Sequence, residues 1–386
     1  MRELASLLVV VLLVYLFQCL CWTPTRAHVF SLEPGGESGR KKRGFLWSAL
    51  NLTGYWANPL PPLQPLLVVG WPQFQPEQEI LRIAPADAEP MAIAWEELKV
   101  TRSGNKLQCN GTVVLQGGVE QLKQSQELLD KLKRAKAKER KKLIETWLRK
   151  ATDAAAIEDR LKAFCHKSRW LDLAVNLQFF LLFLIVPMAF FRFGSRALWP
   201  MVGAVLATSI FIAWQCVKLH KYFFAGDGEG RFKPVFSTVL SPIYAIRAED
   251  ALARDLLAGF HPVAVAGVMC SQKELKAFAG EQLRINKFGS RGASWYGDQL
   301  ELALTRMLEK KGVDTKRLLA APDREAGCVV YCPRCHAQYT KEREDCADCG
   351  YGELPAFEEQ PLNVNHKGHE GTLRKSVPGR VKSISE

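Results

Sequence analysis

The sequence lacks a disulfide framework, charge inside its last two apolar runs, and any recognisable arrangement of catalytic groups. Eleven cysteines are present, but those outside two close pairs near the C-terminus are scattered singly, which excludes a small disulfide-stapled domain. The absence of Asp, Glu, Lys and Arg from the two apolar runs argues against a relay for protons or ions.

Several polar side chains between residues 245 and 309 could serve an active site, but no spacing joins them into one. They are His261, Cys270, Asp250, Asp255, Glu274 and Asp298. A base and its nucleophile are recognised by their distance in space and by a third group that orients the base, and a sequence shows neither. Because free cysteine is often buried as a small hydrophobe, we interpret His261 and Cys270 as core residues and favour a non-enzymatic protein.

The overall composition is that of a folded, basic protein. Its 386 residues suffice for two or three modest domains, and 48% of them are hydrophobic. The formal net charge of +12 would suit a polyanionic partner, either lipid or nucleic acid. Because the chain also contains apolar runs long enough to cross a membrane, anionic lipid headgroups are the simpler explanation of the charge.

The first apolar run, within residues 1–25, is either a transmembrane anchor or a signal peptide. No charged residue lies between Leu4 and Thr25, and the run is long enough to cross a hydrocarbon layer of about 30 Å as a helix. The sequence Thr25-Arg26-Ala27 then resembles a cleavage site, with small residues at the two recognition positions. Both hypotheses stay open.

A transmembrane helical hairpin is predicted for residues 171–217. Its two uncharged runs, Leu173–Phe191 and Ala197–Val217, are each long enough for a membrane-spanning helix. Only the segment Arg192–Arg196 separates them, so the turn between the helices must be tight. The outer ends of the hairpin therefore emerge on the same face of the membrane.

This hairpin would place both soluble regions, residues 26–170 and 218–386, in one compartment. Basic residues at the outer ends of the hairpin outnumber the two in its turn. Those at the outer ends are Lys162, Lys167, Arg169, Lys218 and Lys221. The positive-inside rule then predicts a multi-pass protein of the cell membrane with cytoplasmic soluble regions. A cleaved signal peptide would instead place both regions in the periplasm or the extracellular space.

The N-terminal soluble region is predicted to consist of a linker, residues 26–65, and an α+β domain, residues 66–170. Alternation of apolar and polar residues within 79–116, interrupted by two glycine-containing turns, predicts a β-meander in which residues 91–102 form one strand. From Val119 onward the apolar residues recur at three- and four-residue steps, which predicts a closing amphipathic helix.

The Trp-Glu-Glu-Leu segment at Trp95–Leu98, the two turns and the closing helix occur in an order that resembles the C-terminal half of a pleckstrin-homology-like domain. The resemblance covers residues 66–132 and implies a barrel that binds lipid or peptide, with no binding residue assigned. An unrelated small α+β domain is the alternative.

A basic block, Lys131–Lys142, follows the meander, and eight of its twelve residues are Lys or Arg. An apolar stripe then carries a long helix, or a pair of helices, toward the membrane. The block either lies on anionic lipid headgroups or forms a solvated helix face.

Beyond the hairpin, residues 218–244 are predicted to form a linker and residues 245–322 a helical domain. Apolar residues at helical spacing alternate with glycines in this domain. We expect helices that are separated at Gly259, at Gly280 and within residues 289–297.

The most specific motif is a pair of Cys-x-x-Cys hooks separated by ten residues. The candidate metal ligands are Cys332, Cys335, Cys346 and Cys349. Each hook turns two thiolates toward one point, and two hooks complete the tetrahedral sulfur shell that zinc prefers. Residues 328–354 resemble the zinc ribbon, or rubredoxin-like, module, which implies structural zinc, with iron on the same four sulfurs as the alternative.

Two other residues adjoin this site, His336 and Cys328, but they exceed the four ligands of a tetrahedral shell. A closed shell has no open position for water, which disfavours hydrolysis. Charges of both signs surround the hooks, so we expect a protein partner and not nucleic acid. Residues 355–386 are predicted to be a disordered tail.

These observations predict an α+β multi-domain membrane protein that acts as a membrane-tethered scaffold or regulatory adaptor, with a zinc ribbon for protein contacts. A redox component or enzyme that uses the four-cysteine centre as an electron carrier is the first alternative. A small-solute transport component built around the hairpin is the second, and the lack of intramembrane charge argues against it. No resemblance spans the whole chain.

Overall fold

The computed structural model describes residues 6, 9–14, 27–30, 66–69, 71–84, 90–104, 106–116, 119–224, 237–246, 248–269, 272–288 and 294–357. Within them the chain forms many helices and four small antiparallel sheets. Most of the first apolar run and of the predicted tail lies outside the described residues, as does most of the linker predicted at 26–65.

Antiparallel strands build much of the N-terminal region. Strand β1 (Ala27–Phe30) pairs with β2 (Leu66–Val69), so four residues of the predicted linker form a strand. A first meander consists of β3 (Gln73–Pro76), β4 (Ile80–Ala84) and β5 (Met91–Ala94), and a second of β6 (Val100–Ser103), β7 (Lys106–Cys109) and β8 (Thr112–Gln116). The alternation within residues 79–116 thus corresponds to β4–β8.

The single strand predicted for residues 91–102 is wrong, because the chain turns between β5 and β6. The N–H of Glu97 donates to the carbonyl oxygen of Ala94 (3.1 Å), which closes the turn. Trp95 and Leu98 on either side of it are both buried. Strict alternation would place residues three apart on opposite faces, so the turn is what allows both side chains to enter the core.

Three helices follow the second meander: α1 (Val119–Arg134), α2 (Ala137–Ala151) and α3 (Ala154–Lys167). The sequence predicts one long helix or a pair. The break between α2 and α3 has a local cause, since the Asp153 carboxylate accepts hydrogen bonds from the N–H groups of Ala155 (3.0 Å) and Ala156 (3.3 Å) and so caps α3.

Part of the basic block contacts the rest of the protein. Lys133 donates to the carbonyl oxygen of Leu98 (2.7 Å), and the Arg140 guanidinium lies 3.9 Å from the ring centre of Trp95. The Lys141 ammonium lies 5.2 Å from the ring centre of Trp295. These three cations stabilise the fold, which leaves the remaining basic residues of the block for the predicted headgroup contact.

Residues 169–223 form a helical hairpin. The first arm comprises α4 (Arg169–Phe180), a π-helical turn (Leu181–Ile185) and α5 (Val186–Phe193). A short 3-10 turn (Gly194–Ala197) then reverses the chain. The second arm is α6 (Leu198–Phe223). Gly194 has φ +66°, a conformation that favours glycine. The amide of Gln178 donates to the hydroxyl of Ser209 (3.1 Å), so the two arms pack side by side.

Among the described residues, Arg169–Phe223 is the one continuous helical stretch long and apolar enough to cross a membrane. The length and the apolar composition of this stretch are the properties that make it a candidate span. Because this stretch folds back on itself, either of its arms is a candidate span.

Helices also build the C-terminal region. They are α7 (Pro242–Ile246), α8 (Ala248–Leu257), α9 (Pro262–Met269), α10 (Gln272–Phe288), α11 (Trp295–Lys310) and α12 (Thr315–Leu319). Residues 237–240 are also helical, and α6 runs to Phe223. Helices therefore occupy both ends of the linker predicted at residues 218–244.

The helix break predicted at Gly280 is wrong, because α10 runs through this residue. A Cβ atom at Gly280 would lie 3.0 Å from a guanidinium nitrogen of Arg284 and 3.7 Å from the Cβ of Leu318. The glycine therefore leaves room on α10 for the Arg284 side chain of the same helix and for Leu318 of α12, and it does not end the helix.

The regions that precede and follow the hairpin in sequence share one hydrophobic core. The hydroxyl of Tyr296, fully buried on α11, donates to the carbonyl oxygen of Pro72 (3.2 Å) and accepts a hydrogen bond from the indole N–H of Trp71 (3.0 Å). Trp71 also stacks on Trp147 of α2, with ring centroids 4.9 Å apart. Both outer ends of the hairpin therefore join the same folded body.

Candidate metal centre

The four candidate ligands lie in a small module that begins after α12. Strand β9 (Val330–Tyr331) pairs with β10 (Gln338–Tyr339), and the first Cys-x-x-Cys hook turns the chain between them. The chain then passes through the second hook and returns beside β9, where the N–H of Phe357 donates to the carbonyl oxygen of Val329 (3.0 Å). The module thus extends to Phe357, inside the segment predicted to be a disordered tail.

The two hooks have the same backbone hydrogen bonds. In the first hook, the N–H of Cys332 donates to the carbonyl oxygen of Ala337, and the N–H of His336 donates to the carbonyl oxygen of Cys332. In the second hook, the N–H of Cys346 donates to the carbonyl oxygen of Tyr351, and the N–H of Gly350 donates to that of Cys346. All four bonds measure 2.8 Å, with Cys332 and Cys346 as the first cysteines. Equal bonds at equal spacing give the hooks the same shape, so each presents two sulfur atoms in the same way.

The fifth residue of each hook has a left-handed backbone. Gly350 fills this position in the second hook with φ +66°, and His336 fills it in the first with φ +63°. A left-handed conformation costs a glycine little and a side-chain-bearing residue more. His336 is therefore a turn residue in this fold, and it does not belong to the group of side chains that converge on one point.

The four sulfur atoms converge as a metal shell requires. They all lie within 4.8 Å of one another, with 3.6 Å between the sulfurs of Cys332 and Cys349 and 3.5 Å between those of Cys335 and Cys346. Tetrahedral zinc with Zn–S bonds of about 2.3 Å needs sulfur separations of about 3.8 Å. Ligands from both hooks thus face one centre.

Local hydrogen bonds favour the thiolate form of Cys346. The hydroxyl of Tyr339 accepts from the N–H of Ala347 (3.1 Å), which leaves its own proton to point at the Cys346 sulfur, also at 3.1 Å. Burial alone would raise the pKa of Cys346, but the hydrogen bonds from Tyr339 and from the backbone N–H groups of Cys349 and Asp348 lower it to about 6.

The pKa of the Cys335 thiol is raised, in contrast to that of Cys346. Burial raises the pKa of Cys335, and the adjacent sulfur atoms of the other three cysteines raise it further. Four thiolates at such short range repel one another, so they can ionise together only around a cation. The arrangement is therefore suited to hold a divalent metal ion.

The donor set fits a closed, four-coordinate site. Four sulfur ligands satisfy a tetrahedral ion and leave no coordination position for water or substrate, as in structural zinc sites. Iron accepts the same four ligands, so the geometry alone does not choose between the two metals. The nearby Cys328 is buried but does not belong to the converging group.

The module contacts α10 of the helical body through residues of both hooks. Arg284 of α10 donates to the carbonyl oxygens of Arg334 (3.4 Å) and Leu318 (3.2 Å), and burial lowers its pKa. The rings of Phe288 and Tyr351 meet edge to face at 6.1 Å. Tyr339 and Arg284 were missed at the sequence level; Tyr339 lies between the hooks, but nothing in the sequence pattern marks Arg284.

Among the polar residues considered from the sequence, His261 packs in the interior of the protein. His261 is buried, its Nδ1 accepts from the N–H of Val263 (3.3 Å), and its ring meets Trp71 edge to face at 5.2 Å. It is thus a core residue. Cys270 and the side chains of Asp250 and Glu274 lie outside what the structure describes.

Comparison of the chain with protein-family models, with curated proteins and with solved structures found no match. The metal-centre assignment therefore stands on the four cysteines and their geometry, and the pleckstrin-homology-like resemblance stays a prediction.

Proposed function

We propose that this protein is a membrane-anchored scaffold or regulatory adaptor whose four-cysteine module binds structural zinc and presents a protein-binding surface. The observation that carries the proposal is a closed sulfur shell that packs on α10 and leaves residues 340–345 beside the second hook exposed. Such a shell has no open position for chemistry, and a module this small depends on its metal to fold.

The exposed face of the hairpin supports membrane anchoring. Each arm has about 25 residues, or about 37 Å of helix, which exceeds the roughly 30 Å of a hydrocarbon core. Large apolar side chains point outward along both arms, among them Leu177, Met188, Phe191, Trp199, Leu206 and Ile210. An apolar surface of this extent is what acyl chains would cover.

The shared core supports placing both soluble regions on one side of that membrane. Trp71 and Tyr296 lie in sequence on opposite sides of the hairpin, yet they are hydrogen-bonded. A fully spanning hairpin would bring its two outer ends to the same face, as this contact requires. The basic residues beside those ends favour the cytoplasmic face.

The second hook offers the surface for a partner. Its preceding loop and the hook itself, residues 340–348, are exposed except for the ligand Cys346. The charged residues there are Lys341, Glu342, Arg343, Glu344, Asp345 and Asp348. Four acidic and two basic side chains would repel a phosphate backbone and suit a protein partner with a basic surface.

A photo-crosslinking amino acid placed at Glu342 tests this surface in native membranes. We expect one reproducible protein adduct, because the exposed loop is held rigidly by the metal, and we expect the adduct to disappear when Cys346 is also replaced by serine. Mass spectrometry of the adduct provides the readout. The same probe at the exposed Lys276 of α10 is the matched control, and equal adducts at both positions would contradict the proposal.

An electron carrier is the second candidate function. Cys335 is exposed while the other sulfurs are half-buried or buried, so an iron ion in this shell would lie near the surface. Iron on four cysteines changes its oxidation state, whereas zinc has no redox chemistry. The identity of the bound metal therefore decides between the two functions.

Transport is not favoured by the hairpin. Two of the polar side chains buried in the hairpin, Gln178 and Ser209, bond to each other across the two arms. Hydrogen-bonded amide and hydroxyl pairs commonly join packed membrane helices. This pair therefore has a structural explanation that needs no solute.

A further inference from the structure

Residues 242–246, which lie in sequence between the hairpin and the other C-terminal helices, pack against the hairpin. Helix α7 packs against both arms of the hairpin, α4 and α6, although it follows the second arm in sequence. Its last residue, Ile246, is buried in a small apolar cluster with Phe179, Leu182 and Phe183 of the first arm. The chain thus returns to the hairpin after leaving it.

The depth of this cluster can be measured along the first arm. Phe179 and Phe183 follow Asp172, the last charged residue before the apolar run, by seven and eleven residues. At 1.5 Å per residue these positions lie about 10 and 16 Å beyond that charge. Half of a hydrocarbon core is about 15 Å, so Ile246 lies at the depth of acyl chains if the hairpin spans a bilayer.

The described chain before and after this segment lies at the outer ends of the hairpin, where α6 ends at Phe223 and α8 begins at Ala248. Glu249, three residues after Ile246, accepts a hydrogen bond from the hydroxyl of Ser168 (2.8 Å), directly before the first arm begins. Lys233 and Arg247 are the nearest charged residues on either side, and the residues between them carry no charge. Charged flanks around an uncharged stretch are expected of a segment that dips into a membrane and returns.

Residues 237–246 have two features that a lipid environment requires, paired backbone groups and an exposed apolar face. Their backbone forms two helical stretches, residues 237–240 and α7, and hydrogen bonds from Ser241 N–H to Ser237 O (2.9 Å) and from Ala245 N–H to Ser241 O (3.1 Å) connect them. Backbone groups must be paired internally in hydrocarbon. Leu240 and Tyr244, one turn apart, expose 63% and 56% of their surfaces and extend the apolar face of the hairpin.

We propose that residues 237–246 form a re-entrant membrane element whose Leu240 and Tyr244 contact lipid acyl chains. The inference rests on the proposed membrane anchoring and adds a third embedded segment to it. Its partner is the bilayer itself. The hairpin and this segment would then hold the soluble body at a fixed height above the headgroups.

Photo-crosslinking to lipid tests the inference. A photoreactive amino acid replaces Tyr244 or Leu240 in the full chain, which is reconstituted into vesicles of phosphatidylcholine and phosphatidylglycerol, and lipid adducts are quantified by mass spectrometry. Phe191 in the hairpin, 64% exposed, is the positive control, and Leu302 on α11, 44% exposed, is the control outside the membrane.

We expect lipid adducts at positions 240 and 244 in yields comparable with position 191 and several-fold above position 302. If position 191 reacts with lipid while 240 and 244 match position 302, the re-entrant element is refuted and the anchor is retained. If position 191 also fails to react, the membrane anchor itself is refuted. Should one of the two variants misfold, the other, on the same helix face, gives the result.

Discussion

Replacement of Cys346 by serine should abolish metal binding and unfold the ribbon while the helical body stays folded. A bound zinc ion would contribute most of the stability of a module this small, since structural zinc sites bind with about 10–16 kcal/mol of apparent free energy. Cys346 is the most informative ligand, because hydrogen bonds already hold its pKa at about 6 and prepare its thiolate for the metal. A hydroxyl in its place is a poor zinc ligand.

Limited proteolysis followed by mass spectrometry measures this effect. We expect rapid cleavage within residues 323–357 of the Cys346→Ser variant and unchanged protection of residues 119–224 and 294–310. Cys328→Ser is the matched control, because Cys328 is a buried cysteine of the same module that lies outside the converging group. Normal protection of the ribbon in a metal-free Cys346→Ser variant would show that the module folds without metal.

The Tyr296→Ala variant should destabilise both soluble regions at once. Tyr296 is fully buried, and its hydroxyl joins Trp71 and Pro72, which lie 225 and 224 residues away in sequence. Truncation of a buried aromatic residue to alanine typically costs about 3–5 kcal/mol. Tyr296→Phe removes only the hydroxyl, and we expect it to cost about 1–3 kcal/mol because the buried indole N–H loses its partner.

Hydrogen exchange in detergent micelles distinguishes one core from two. If the regions share a core, protection should fall together in residues 71–84 and in residues 262–269, on opposite sides of the hairpin. Leu302→Ala, a substitution at an exposed position of the same helix, should leave both segments protected. A loss confined to the C-terminal segment in Tyr296→Ala would show that the two regions are independent domains.

Local features of the fold could be predicted from the sequence. The turn of the hairpin follows from a short charged segment between two apolar runs, and the strands and closing helix follow from period-two and helical spacing. The metal ligands follow from two Cys-x-x-Cys hooks, because backbone geometry within each hook depends on nearby residues alone.

Contacts between distant segments could not be predicted. The pairing of Ala27–Phe30 with Leu66–Val69 and the bond between Trp71 and Tyr296 depend on tertiary packing, which leaves no periodic signal. Gly280 illustrates the same limit, because a glycine that makes room for Arg284 looks in sequence like one that ends a helix. The contact of the four-cysteine module with Arg284 likewise joins residues that are far apart in sequence.

Native mass spectrometry of the purified full-length protein, with elemental analysis of the same sample, tests the proposed metal centre most directly. We expect one zinc ion for each chain, a colourless protein, and loss of the ion in Cys346→Ser but not in Cys328→Ser. One iron ion with thiolate absorption would favour electron transfer over a structural role. A folded wild-type module without any metal would contradict the proposed metal centre.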